Sequence, residues 1–245
     1  MTSGPWLTSA MSFFAVGDIH GCSAQLRVLL EHPDLHRDRR VVFLGDFVDV
    51  GPDSSGVIDL LLAFRAEQPD TVFLQGNHDV GLLTYLRSGD FAAYAEAGGI
   101  ATIRAYCGEV HGDVHAALER ALPPTHCGFL RDLTPYFETK DYLFSHCGYS
   151  PESPLDRSVE AMVLQSHQRL FENSAPLRKL AVCGHYFQRT LKPFLSERVI
   201  CLDTGCGILG GPLSAVLLPD FRVVQVSTDL SLSEGPSLRR KAVLG

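Results

Sequence analysis

Short runs of apolar residues recur along this chain, and most of them stop abruptly at a glycine or a histidine. Phe13-Phe14-Ala15-Val16 ends at Gly17-Asp18, and residues 23 to 30 then carry apolar side chains at helical spacing. The pattern predicts strand, loop, helix. Val41-Val42-Phe43-Leu44 ends at Gly45-Asp46 in the same way, and a helical stripe from Gly56 to Phe64 follows Pro52, Asp53 and Ser54, residue types that start helices. Thr71-Val72-Phe73-Leu74 runs into Gly76-Asn77-His78, Tyr142-Leu143-Phe144 into Ser145-His146, and Leu180-Ala181-Val182 into Gly184-His185. Strands without polar alternation are covered on both faces, so the expected fold class is α/β. Such sheets gather ligands beyond the carboxyl ends of their strands.

Residues 80 to 135 break the rhythm with an alanine-rich, mainly helical stretch, expected to form a cap over the site. From Arg198 onward, Val199-Ile200-Cys201-Leu202, Leu213 to Leu218 and Arg222 to Val226 are predicted as successive strands of an antiparallel meander. The last residues, about 236 to 245, read as a loose tail. No internal repeat is visible, and 245 residues are read as a single domain spanning 1 to 245.

Composition narrows the function classes. A net charge of −7 and a pI near 5.8 argue against a surface made to grip a phosphate backbone, so no stable nucleic-acid binding is expected. No apolar stretch reaches the roughly 18 residues that span a bilayer, and the first ten residues lack the basic start and apolar run of a secretion signal. No membrane association and a cytoplasmic location are expected. Oligomeric state leaves no trace in the pattern. Seven cysteines at irregular spacing, without a CxxC pair, are expected to be reduced and mostly buried.

The chemistry concentrates in five clusters: Gly17-Asp18-Ile19-His20-Gly21, Gly45-Asp46-Phe47-Val48-Asp49, Gly76-Asn77-His78-Asp79, Ser145-His146-Cys147-Gly148 and Gly184-His185-Tyr186. A glycine before the aspartate is expected to let the chain turn sharply off the strand. Asp18 and His20 are alternate residues and can face one ion, while the two oxygens of Asp46 can bridge two ions about 3.5–4 Å apart. Asn77 can donate a neutral carbonyl oxygen. His78 is placed for proton chemistry, with a further metal ligand as the alternative. Asp49 could hold its charged form by a carboxylate hydrogen bond, or be a solvated turn residue. His146 and His185 have the context of late-chain ligands. His32, His36, His111, His115, His126 and His167 lack it and are taken as surface or structural. His111 and His115 lie four apart on a predicted helix but without the Glu of HExxH. Nitrogen and oxygen donors with no thiolate suit two divalent metal ions, manganese first, with iron or zinc as alternatives.

At these residues the chain resembles the calcineurin-like metallophosphoesterase superfamily, whose motifs read GDxHG, GDxxD, GNH(E/D), a late histidine and GH. The likeness spans roughly residues 13 to 205. Within it the chain is similar to the branch that holds serine/threonine protein phosphatases, including bacterial and phage enzymes, and symmetrical diadenosine tetraphosphatase. Asp203-Thr204-Gly205-Cys206-Gly207 followed by Leu213-Ser214-Ala215-Val216 is similar to that branch's ending. The resemblance implies a central β-sandwich flanked by helices in four α/β/β/α layers. It implies that Asp18, His20 and Asp46 bind one ion, that Asp46, Asn77, His146 and His185 bind the second, and that His78 is the acid with Asp49 its partner. The implied function is phosphomonoester hydrolysis on a phosphorylated protein, with hydrolysis of a dinucleoside polyphosphate as the alternative and a non-catalytic metal-binding regulatory module as a third reading.

Two departures bear on the substrate. The branch usually has an arginine that clamps phosphate oxygens after GDxVD, and this chain has Val50; where a second arginine is usual, the nearest alignment puts Gln168, with Arg169 beside it. Neither valine nor glutamine reproduces a guanidinium fork. Arg104, Arg169 or Arg189 would have to take its place, beside Asn77, in binding the substrate. In the cap, Tyr94, Tyr106 and Arg104 are candidate contacts to nucleobases. Phe187 stands where related phosphodiesterases carry the second histidine of GHxH.

Overall fold

The computed structural model describes residues 11–152, 154–172 and 177–237. The first apolar run forms β1 (Phe13–Val16) and the helical stripe after it α1 (Ser23–Leu30). Then come β2 (Arg40–Phe43), α2 (Ser54–Glu67) and the two-residue β3 (Val72–Phe73). Asp53 caps α2, its carboxylate accepting the Gly56 N–H at 2.9 Å, which satisfies one of the unpaired donors of a helix start.

The stretch from 77 to 131 holds five helices: α3 (Asn77–Ser88), α4 (Phe91–Glu96), α5 (Ile100–Cys107), α6 (Val114–Ala121) and α7 (Pro124–Arg131). The chain returns as β4 (Tyr136–Glu138), β5 (Tyr142–Ser145), β6 (Leu180–Cys183), β7 (Phe194–Leu195), β8 (Val199–Cys201), β9 (Leu213–Leu218), β10 (Arg222–Val226) and β11 (Leu232–Glu234).

These strands make two sheets, in the orders β11-β10-β9-β1-β2-β3 and β4-β5-β6-β8-β7. β1, β2 and β3 run parallel in the first, and β5, β6 and β8 in the second. Alternate residues explain the unbroken apolar runs. Phe14, Val16 and Phe43 face a core shared with Leu26 and Leu29 of α1 and Val57, Ile58 and Leu61 of α2. Phe13, Ala15 and Val42 face the other way, against Phe144, Val182 and Ile200 of the second sheet. Phe13 and Phe144 meet there with ring centroids 5.1 Å apart. Each such fully buried side chain contributes about 1.5–3 kcal/mol, which holds the sheets face to face. The outer side of the second sheet packs on Tyr149, Met162, Val163 and Leu170, from a segment with short helical turns at Glu160–Leu164 and Gln168–Phe171. The result is the expected mixed α/β arrangement of two sheets flanked by helices.

Two expectations need correction. Val199–Leu202 does not belong to the meander: β8 pairs parallel with β6 and antiparallel with β7, and only β9, β10 and β11 form the antiparallel run. An apolar strand carries no mark of which sheet will take it. Asn77 and His78 are the first residues of α3. His111 precedes α6, which begins at Val114 and carries His115, so the two histidines do not share a helix face. The predicted loose tail falls mainly on residues 238–245, outside those described. Among the described residues all seven cysteines are free, five of them buried, and no helix is long and apolar enough to cross a membrane.

Candidate metal centre

Six strand ends converge at the candidate site. Asp18 and His20 follow β1, Asp46 follows β2, and Asn77 opens the helix after β3; His146, His185 and Asp203 follow β5, β6 and β8 of the other sheet. Both sheets therefore aim the carboxyl ends of their parallel strands at one place. Potential ligand atoms of Asp18, Asp46 and His146 lie within 4.8 Å of one another, and so do those of His20, Asp46 and His78. Asp46 belongs to both groups.

The local backbone is unusual. His20, Asp46, Asp49, Val50 and His185 have φ of 45°, 51°, 69°, 66° and 63°. Left-handed conformations in non-glycine residues cost on the order of 1–3 kcal/mol each, most for a β-branched residue such as Val50. Gly45, before Asp46, makes the expected turn with φ of 99°, while two other glycines serve closeness. Gly76 and Gly184 keep ordinary negative φ, yet a Cβ would stand 2.1 Å from Asp46 Oδ1 at the first and 1.9 Å from Asp18 Oδ1 at the second. Buried Asp79 fixes the strained turn by accepting the N–H groups of Asp46 (2.9 Å), Phe47 (3.0 Å) and Gly76 (2.9 Å).

The donor chemistry fits cations. Leu44 O can only accept, so the 2.9 Å contact puts the proton of His146 on Nδ1 and turns Nε2 toward Asp46 Oδ2 (3.2 Å) and Asn77 Oδ1 (2.9 Å). Two oxygen acceptors face Nε2 there, so positive charge is needed at that point: a second proton on His146 supplies it without an ion, and a bound cation would supply it in that proton's place. His20 repeats the arrangement, Nδ1 against Val48 O (3.3 Å) and Nε2 toward Asp46 Oδ2 (3.6 Å). His185 has Nε2 beside Ser166 Oγ (2.9 Å) and Nδ1 toward Asn77 Oδ1 (2.9 Å). Orienting a ligand histidine through its second nitrogen is the habit of metal sites. Asp18 Oδ2 accepts the His185 N–H at 3.0 Å, but its buried Oδ1 has no hydrogen-bond partner among the described residues.

The electrostatics agree. Burial, Asp203 and Asp46 push Asp18 well above the usual carboxylate range, and burial with Asp46 lifts Asp203 to about 6. Burial opposes the charged form of His146, yet Asp46 and Asp18 raise it to about 10. Burial and the neighbouring His146 depress His185 to about 4. Too much buried negative charge for the protein's own cations to balance is what a pair of divalent ions corrects. Cys147, also within reach of His146 and His185, donates Sγ–H to Val163 O at 2.9 Å, and burial pushes its thiol far up. It is no thiolate donor.

Beside the ligand cluster, His78 Nδ1 pairs with Asp49 Oδ2 at 3.0 Å, leaving Nε2 uncommitted to Asp49. Burial works against the imidazolium, but the Asp49 hydrogen bond and the charge of Asp46 raise it to about 8. Asp49 is itself fully buried and not a solvated turn residue. Its other oxygen accepts from Tyr94 Oη (2.6 Å) and Thr102 Oγ1 (2.7 Å), on α4 and α5.

The residues expected to meet the substrate are more open: Val50 is partly exposed, Arg104 and Arg189 are exposed, and Arg169 is held by an ion pair to Glu152. Tyr94 is 3% exposed with its hydroxyl taken by Asp49, and Tyr106 Oη is bonded to His126 Nδ1 at 2.8 Å. Tyr94 is thereby withdrawn as a nucleobase platform, whereas Tyr106 is partly exposed and only its hydroxyl is committed. Asp79, Tyr94, Thr102 and Asp203 were not singled out by sequence for these contacts; only the GNH(E/D) pattern hinted at Asp79.

The calcineurin-like phosphoesterase family model matches residues 11–211. The chain is 40% identical over 275 aligned positions to the symmetrical bis(5'-nucleosyl)-tetraphosphatase of Bordetella parapertussis, covering 88% of this chain and 95% of that one. It is 25% identical over 252 positions to the asymmetrical bis(5'-nucleosyl)-tetraphosphatase PrpE of Geobacillus thermodenitrificans, with coverages of 88% and 94%. Among solved structures it resembles a cold-active protein tyrosine phosphatase (TM-score 0.62, 17% identity, 96% of this chain and 80% of that one). A candidate diadenosine tetraphosphatase is also similar (TM-score 0.57, 22% identity, 94% and 95%). The two structural likenesses speak to fold alone.

Proposed function

This chain belongs to the calcineurin-like phosphoesterase family and is a metal-dependent phosphoester hydrolase, and from that premise we propose that its substrate is a dinucleoside polyphosphate, cut symmetrically. The observation that carries the choice is kinship to the Bordetella parapertussis enzyme across nearly its whole length. The phosphoprotein reading expected from the sequence has less behind it, because the likeness to a protein phosphatase is one of fold.

In this reading Asp18, His20 and Asp46 hold one divalent ion, and Asp46, Asn77, His146 and His185 the other, manganese being the first choice for nitrogen and oxygen donors. When bound, the ions supply Lewis acidity and neutralise phosphoryl charge. The protein does the rest. Asp79 fixes the backbone that presents Asp46. Asp49 orients His78 and favours its charged form, and Nε2 gives a proton to the departing oxygen. Asn77 and Arg169, with Arg104 and Arg189, would meet the phosphate chain where Val50 and Gln168 offer no guanidinium.

Incubation of the manganese-loaded protein with diadenosine tetraphosphate, followed by chromatography, tests the reading. Symmetric cleavage yields two molecules of ADP and no ATP. Formation of ATP with AMP would point to asymmetric cleavage, and turnover of phosphopeptides with the dinucleotide left intact would restore the phosphoprotein reading.

A further inference from the structure

Asp49 and Val50 are consecutive left-handed residues, a conformation that survives only where the surroundings over-determine it. Most of the contacts that hold it come from the helical insertion. The Asp49 N–H is shared between Thr102 Oγ1 at 2.8 Å and Ser54 Oγ at 3.1 Å, and the Val50 N–H reaches Gly98 O at 3.2 Å. On the side chain, Tyr94 and Thr102 donate to one carboxylate oxygen of Asp49, and His78 takes the other. With its own proton spent on Asp49, Thr102 Oγ1 accepts from Ser54 at 2.8 Å.

Every hydroxyl in this network is committed, and Asp49, Thr102 and Ser54 are fully buried. Tyr94 is clamped as well. Its ring stacks on Tyr85 with centroids 4.7 Å apart, and a Cβ at Gly99 would come within 2.4 Å of it, so the glycine makes room for the ring. Burial and the Asp49 carboxylate hold the Tyr94 phenol far above its ordinary range, so it stays a donor.

We propose that Tyr94 and Thr102, from two helices of the insertion, are positioning residues for the Asp49–His78 pair, which makes the insertion part of the acid machinery and not only a cover. The inference rests on His78 being the acid. A carboxylate with one oxygen pinned by two hydroxyls presents the other in a single direction, and the imidazole that it holds is aimed accordingly. Without the hydroxyls, Asp49 gains freedom to rotate.

The test is leaving-group dependence, since a misaimed acid matters most for a strongly basic departing oxygen. Turnover of phenyl phosphate and p-nitrophenyl phosphate is compared in the manganese-loaded full chain for Tyr94→Phe, Thr102→Val, Thr102→Ser and His78→Asn. For Tyr94→Phe and Thr102→Val, kcat on phenyl phosphate falls roughly 10-fold and on p-nitrophenyl phosphate less than about 2-fold, with metal content unchanged; His78→Asn widens the ratio further, toward ~100-fold. Thr102→Ser, which keeps the hydroxyl, restores the wild-type ratio. If His78→Asn shifts the ratio and the two hydroxyl deletions do not, the positioning role is overturned while the acid reading stands. An equal loss on both esters, or a fall in Tm and metal content that accounts for it, also overturns it, by assigning the hydroxyls to stability. An unchanged ratio in His78→Asn removes the acid reading and this inference together.

Discussion

The floor of the site and its rim obey different rules. On the floor, Asp18, His20, Asp46 and His146 are at most 2% exposed, held by backbone carbonyls and N–H groups from both sheets. Toward the outside, Val50 is partly exposed and Arg169 is tied to an exposed glutamate. The floor determines what chemistry is possible. In the proposed reading the outer residues select which phosphate compound receives it, and they can vary without disturbing the ligands beneath.

The contrast is best broken on the floor. Asp46→Asn removes the carboxylate shared by both ligand groups and should bring hydrolysis of diadenosine tetraphosphate to background, with bound metal falling in elemental analysis; retained turnover at full metal content would end the bridging assignment. His78→Asn should keep the metal and lose kcat on phenyl phosphate by ~100-fold. The pH profile sharpens the same point. His78 is raised to about 8 from an ordinary 6.5, so its acid form persists to near pH 8 and disappears as pH rises through that value. Asp49→Asn takes away the hydrogen bond that raises it, so the alkaline fall in kcat should move to lower pH; a fall that stays in place would detach it from His78.

Smaller effects belong to the rim. Val50→Arg returns a guanidinium to the mouth and should lower KM for phenyl phosphate about 5-fold at constant kcat. A response in kcat instead would mean that the floor had been disturbed. Arg169→Ala should raise KM for diadenosine tetraphosphate only about 2- to 3-fold, because an exposed, ion-paired cation is screened and already occupied. An effect of the size of the His78 substitution would move Arg169 into the chemistry.

The sequence exposed the floor more readily than the rim. β1, α1 and β9 lie within the ranges that their apolar spacing predicts, and the Asp and His clusters stand at strand ends because only there can a polar side chain leave a two-faced sheet. What stayed hidden depends on distant partners. Tyr94 and Thr102 reach Asp49 across 45 and 53 positions, and their residue types are ordinary in helices. Placement of β8 beside β6 was illegible for a related reason, since Val199-Ile200-Cys201 suits either sheet equally well. Short pairings such as β7, two residues long, offer no period to detect.

The contact at Gly184 joins the halves of the molecule, for this residue follows β6 of one sheet and rests against the side chain of Asp18, which follows β1 of the other. The seam there has no clearance, so the smallest added methyl would wedge the two layers apart and spoil the spacing of the donors in the same movement. Folding tolerance and ion capacity are thus a single property at this position, and sequence drift has room to accumulate at the mouth but not along the join.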